Sequence, residues 1–166
     1  MSAPQRGTLG GTAAHVAPAN AHVLCAFAGA VFIYLSTYFM KDLHPIRHTL
    51  AHLLARAVQE HYPHAKPTIG PSIETGFYYD FDFSGGPVPT EKDLRQLEKT
   101  MRKLLPQWKD WSHEAVPGDT ARAAFQGNPF KAELIAEIEK EGAAITLYTC
   151  GGYTDLCRGG HAEHPA

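Results

Sequence analysis

A chain of 166 residues with 44% hydrophobic content is long enough to bury one domain's core, so a folded unit is the default and a wholly disordered chain is excluded. Fifteen basic against seventeen acidic residues leave a net charge of −2, which excludes a broad basic face for nucleic acid; any such contact has to be local or borrowed. Three cysteines, Cys25, Cys150 and Cys157, are too few for a secreted disulfide framework and favour a reducing compartment, whereas ten histidines are a heavy load of metal-type ligands and proton carriers.

Residues 1–20 mix Gly, Ala, Ser, Thr, Pro and Asn without periodicity and read as a disordered N-terminus. Residues 21–40 are an apolar segment in which Val23 to Met40 carries no charge and approaches the roughly 20 residues that span a bilayer. Three readings stay open: a mis-assigned start with Met40 as the true first residue, a membrane anchor, or a buried helix. With Lys41, Arg47 and Arg56 after the run and only Arg6 before it, an inserted helix would leave the domain in the cytoplasm as a single-pass protein.

Residues 41–166 have the punctuation of an α+β domain, with amphipathic helices packed on a mostly antiparallel sheet. From Ile46 to Tyr62, Leu50, Leu53, Leu54, Ala57 and Val58 recur at helical spacing, with Pro45 near the start and Pro63 as a stop. Phe77, Tyr79, Phe81 and Phe83 alternate with Tyr78, Asp80 and Asp82 as in a half-buried strand, which Ser84-Gly85-Gly86-Pro87 ends. Thr90, with Asp93 three residues on, caps a second helix carrying Leu94, Leu97, Met101, Leu104 and Leu105, stopped by Pro106. A third helix runs from Pro129 to about Glu141. Ile145–Cys150 and Tyr153–Cys157 then form a hairpin around Gly151-Gly152.

His48 and His52 are four apart, so they project about 40° from one another on the first helix and can share a ligand. The leucines project on the opposite side, and Ala51, Ala55 and Gln59 beside the pair leave room. Alone, this pattern reads most simply as two solvated histidines. With a two-residue turn, Cys150 faces Tyr153, Thr149 faces Thr154 and Tyr148 faces Asp155; alternation brings Cys157 to that face, and Gly159-Gly160 can fold His161 back beside it. Three imidazoles and a thiol are the donors of a tetrahedral zinc site, or of a metal-free pocket that activates water.

The run HTLAHLLARAVQEHYPHAKPTIGPSIETGFYYDFDF, followed at a distance by YTDLCRGGH, resembles the editing domain of threonyl-tRNA synthetase, a family that includes alanyl-type relatives. The resemblance spans Leu43 to His161, with little contribution from Trp108 to Asn128. It implies a split-barrel-like fold and hydrolytic deacylation of threonine tRNA mischarged with serine, as the editing part of a threonine-tRNA ligase. The catalytic set it implies is His48, His52, Lys131, Asp155, Cys157 and His161, with Tyr79, Tyr148 and Asp155 holding the substrate. In alanyl-type relatives the four His/Cys positions bind zinc; in the threonyl type they are expected to work without tightly bound metal, so Zn2+ on His48, His52, Cys157 and His161 is an option and no cofactor is required.

The partners implied are tRNA for threonine, held weakly by this chain alone, and the rest of a threonyl-tRNA synthetase, with a membrane only if residues 23–40 insert; the location implied is cytoplasmic. No β-rich domain precedes the match, no ligase core follows, and the chain stops five residues after His161, where such domains continue for a few tens of residues. The expectation is therefore a C-terminally truncated editing domain. Its alternatives are an inactive fragment serving as a structural or tRNA-docking remnant, and a membrane-anchored protein that reuses the fold.

Overall fold

The computed structural model describes residues 42 to 165; the run from Val23 to Met40 and the preceding N-terminus lie outside the described residues. The first element, α1 (His44–His61), has Pro45 in its first turn and stops before Pro63. An irregular hairpin follows, made of β1 (Lys66–Pro67), β2 (Ser72–Ile73), β3 (Gly76–Phe77) and β4 (Phe81–Asp82). Next come α2 (Glu91–Leu104), a 3-10 turn (Leu105–Gln107), β5 (Ser112–Ala115), α3 (Gly118–Ala124), α4 (Pro129–Lys140), β6 (Thr146–Cys150) and β7 (Tyr153–Leu156). Three small antiparallel sheets, β1-β4, β2-β3 and β5-β6-β7, make this an α+β fold with no closed barrel among the described residues. Among those residues no helix is long and apolar enough to cross a membrane.

The α1 helix is central. Its sequence suggested one leucine stripe with a solvated histidine face opposite, and the structure corrects that picture. Leu53, Ala57 and Val58 are buried, but Ala51, His52 and Ala55 are buried as deeply, while Leu50 and Leu54 are only part-buried. The small alanines allow close approach, so α1 packs in one core cluster with Leu104 of α2, Trp108, Cys150 and Tyr153. A histidine placed beside these residues, as His52 is, loses water.

The expected strand through Phe77–Phe83 is split. Tyr79 is buried between exposed Tyr78 and Asp80, as alternation requires, yet regular pairing survives only at Lys66↔Asp82, Pro67↔Phe81, Ser72↔Phe77 and Ile73↔Gly76. Between those rungs the chain is held by Thr68 N–H to Asp80 O and Asp80 N–H to Ile69 O. Pro71 has no N–H to offer the ladder. At Gly70 a Cβ would stand 2.1 Å from the Tyr79 ring, so only glycine lets that ring lie flat across the strand.

The α2 start carries the expected cap: Thr90 N–H and Oγ1–H both donate to Asp93 Oδ2, at 2.8 and 2.7 Å. Asn128 caps α4 by accepting from Phe130 N–H and Lys131 N–H, and its amide donates to Pro67 O at 2.7 Å, tying α4 to the hairpin. The β6-β7 register is Tyr148↔Asp155, Thr149↔Thr154 and Cys150↔Tyr153, closed by Gly151 and Gly152 at φ 55° and 75°. Strand β5 was not foreseen: Ser112 to Ala115 are all exposed along the sheet edge, so no hydrophobic alternation marks them.

Candidate active site

Two adjoining clusters occupy the space between α1, α4 and β7. At the first, Asp155 is 1% exposed and would be costly to bury unpaired, but its carboxylate is surrounded. Lys131 Nζ donates to Oδ1 at 2.5 Å, Leu156 N–H donates to Oδ1 at 2.8 Å, and Tyr79 O–H donates to Oδ2 at 2.5 Å. Lys131 also donates to Tyr79 Oη at 3.2 Å, and Tyr153 O–H reaches Oδ2 at 3.4 Å. His52 Nδ1 lies 3.0 Å from Oδ2, an electrostatic contact too bent for a good hydrogen bond. Burial alone would raise the Asp155 carboxyl, but the Lys131 ammonium and the His52 imidazole outweigh it and hold it well below the usual carboxylate range. Tyr79 and Tyr153 are pushed the other way, by burial first and then by the Asp155 charge, so both stay protonated donors.

At the second cluster the donors face each other. His52 Nε2 is 3.2 Å from His48 Nε2, and Cys157 Sγ is 3.4 Å from both His48 Nε2 and His161 Nε2. All four donor atoms lie within 4.8 Å of one another. A tetrahedral zinc site with bonds of about 2.1 Å to nitrogen and 2.3 Å to sulfur has donor–donor edges of about 3.3 to 3.6 Å, so the set fits that ion in kind, with three of its contacts close to that spacing and the widest separation, up to 4.8 Å, beyond it. Burial, then the neighbouring His52, lowers His48 to about 4; burial, then His48 and His52, lowers His161 to about 3. Burial likewise pushes the Cys157 thiol up to about 11, against the Gly159 N–H that favours the thiolate. Without a metal, the two outer imidazoles are neutral at pH 7 and the sulfur is a thiol.

A cavity of about 360 Å³ opens over both clusters. His48, His52, Tyr79, Lys131, Asp155 and Cys157 reach its surface, and Ile69, Pro71, Leu134 and Leu156 supply apolar walls. The structure thus gathers six of the eight residues singled out from the sequence around one space. His161 stands behind them, stacked on Trp111 at 3.7 Å between ring centroids. Tyr148 lies further out: its ring stacks on His113 at 5.0 Å, and its hydroxyl occupies the space a Cβ on Gly159 would need. Sequence reading missed Trp111 and Tyr153. Trp111 had a signal, as a lone large aromatic in the polar run Lys109-Asp110-Trp111-Ser112-His113.

Fold and site together define an α+β domain with a small-ligand pocket that joins a buried acid–amine pair to a four-donor His/Cys cluster. Among known proteins the chain is similar to threonine--tRNA ligases. It is 43% identical to that of Gloeobacter violaceus over 129 residues, 76% of this chain and 20% of the relative. It is 45% identical to that of Thermotoga neapolitana over 117 residues (69% and 18%), and 46% identical to that of Magnetococcus marinus over 123 residues (73% and 18%). The chain is therefore homologous to a segment of these enzymes and spans about a fifth of their length. No family model matches it.

Proposed function

We propose that this chain is an editing hydrolase of the threonyl-tRNA synthetase type, removing serine from tRNA for threonine within tRNA aminoacylation. The observation that supports it most is the single cavity on which the acid–amine pair and the His/Cys cluster both open, in a segment shared with threonine--tRNA ligases. The finer fold assignment, a split-barrel-like editing domain, rests on the same resemblance.

An aminoacyl ester is already activated, so the site has to position water and stabilise charge on the carbonyl oxygen. His48, neutral at pH 7, offers a lone pair to a water molecule; at about 4 its basicity suits orienting that water more than fully deprotonating it. Lys131 spends two of its three protons on Asp155 and Tyr79 and has one left for a substrate oxygen. Asp155 and Tyr79 take the serine amino group and hydroxyl, while Tyr148 closes the site behind His161. His52, Cys157 and His161 complete the water-holding wall. A zinc ion would be held by His48, His52, Cys157 and His161 and, when bound, would supply Lewis-acid charge at that wall. A pocket walled by Ile69, Pro71, Leu134 and Leu156 would have to exclude threonine's extra methyl, which is how a second sieve rejects the cognate residue.

The test uses tRNA for threonine charged separately with serine and with threonine. The folded chain should release serine and spare threonine, and His48→Ala or Lys131→Ala should slow release by about 10² to 10⁴-fold. If both esters survive, a docking remnant of a synthetase becomes the better account.

A further inference from the structure

A second concavity, of about 540 Å³, lies one helical turn further along the elements that build the first. Arg56 follows His52 on α1 by four residues, about 6 Å along the axis; Lys66 precedes Thr68 on the hairpin, and Asn128 precedes Lys131 on α4. Its lining carries Arg56, Lys66 and His64 and no carboxylate, although the chain as a whole is acidic. Phe125 provides an aromatic wall there, with Lys131 Nζ 5.6 Å from its ring centroid on the side of the acid–amine pair.

Arg56 is the unusual member. Three arginines among the described residues are half-buried, and two of them have acceptors: Arg47 donates to Ile73 O and Glu74 O, and Arg122 pairs with Glu139 and Asp119. Arg56 has its Nε shut off from water with no hydrogen-bond partner among the described residues. An orphaned buried guanidinium donor is costly, and a planar fork of N–H groups matches an oxyanion better than any other ligand. Lys66 is also weakly committed, reaching Asp82 only at 3.9 Å with its side chain about 39% exposed.

The geometry points to a phosphate site for the backbone of an RNA strand, with Arg56 and Lys66 on one phosphate and the Phe125 wall beside a base or ribose. The choice of RNA over free phosphate rests on the proposed function, since an ester on a tRNA terminus in the first cavity brings its own phosphates into this neighbourhood. The volume is that of a small-ligand site and exceeds what one phosphate needs.

The test measures binding and no chemistry. A fluorescent acceptor-stem RNA ending in a free 3′-hydroxyl is titrated with the full 166-residue chain by anisotropy at several salt concentrations. Arg56→Gln and Lys66→Gln should each weaken binding by about tenfold and reduce the slope of log K against log salt by about 0.7. Gln59→Glu, which places a carboxylate in the lining three residues from Arg56 on α1, where it can pair with that guanidinium, should weaken it in the same direction. Circular dichroism and a thermal melt confirm that each variant folds, and Lys66→Gln, on an exposed stem, guards against loss of fold at Arg56. Unchanged affinity in the folded variants overturns the inference, and so does inorganic phosphate that displaces the RNA at equimolar concentration. A chain that hydrolyses no ester yet binds RNA through Arg56 keeps this inference while losing the editing reading.

Discussion

The clusters on either side of His52 solve opposite problems. Around Asp155 every charge has a partner: an ammonium, two phenols, an imidazole and a backbone N–H converge on one carboxylate. Around Cys157, three ring nitrogens and a sulfur face each other at 3.2 to 3.4 Å, and burial keeps the outer imidazoles of His48 and His161 neutral and the sulfur a thiol. The first arrangement pairs its charges within the chain, ties α4, β7 and the hairpin together, and reaches the cavity wall through Tyr79, Lys131 and Asp155. The second brings four donor atoms within 4.8 Å of one another, a set that could hold a metal ion. A buried polar network that is satisfied rigidifies, whereas converging His and Cys donors are also the ligand types of a metal site.

Substitutions that separate the two clusters sharpen this contrast. Removing the Asp155 charge strands the Lys131 ammonium in a buried site. Asp155→Asn should therefore destabilise the chain by about 3–5 kcal/mol in urea unfolding. His48→Ala should cost far less stability while removing most ester hydrolysis. If the two variants lose stability equally, the two-cluster division fails.

Zinc addresses the second cluster alone. At about a hundred times its dissociation constant it should stabilise the fold by about 2.7 kcal/mol. The rise in melting temperature should vanish in Cys157→Ser and persist in Tyr79→Phe, which keeps all four donors. Ester hydrolysis that persists after chelation would assign the water to side chains, and hydrolysis that collapses would assign it to the metal.

Smaller effects come from the elements that carry the clusters. Asn128→Ala removes the α4 cap and the bridge to Pro67, and should cost about 1–2 kcal/mol. It should also lower hydrolysis, because Lys131 is one of the two residues whose N–H groups that cap holds. Least of all, Thr90→Val should flatten the acid end of the stability profile. The Thr90 hydrogen bonds hold the Asp93 carboxyl below its ordinary 3.8, so their contribution is complete above that value and is lost as pH falls through the lower, folded-state one. Comparing wild type and variant melts between pH 5 and pH 2 checks the sign.

Much of the scaffold was legible because it depends on neighbours in the chain. Pro45 and Pro63 bracket α1, Thr90 and Pro129 sit at helix starts, and Gly151-Gly152 sets a register that makes Tyr148 face Asp155. The four-residue spacing of His48 and His52 placed them on one side of a helix, and the hairpin register brought Asp155 and Cys157 to one end of the sheet. These are consequences of 3.6-residue and two-residue periods. What the site residues do in one another's company required the tertiary fold. That His52 is buried, that Lys131 meets Asp155 across 24 residues and Tyr79 across 52, and that Trp111 backs His161 are long-range facts with no local period. The hairpin's broken ladder was also a tertiary decision, because Tyr79 turns inward over Gly70 to reach Asp155. Local chemistry chose the elements; burial of a charge that needed several partners at once chose how they came together.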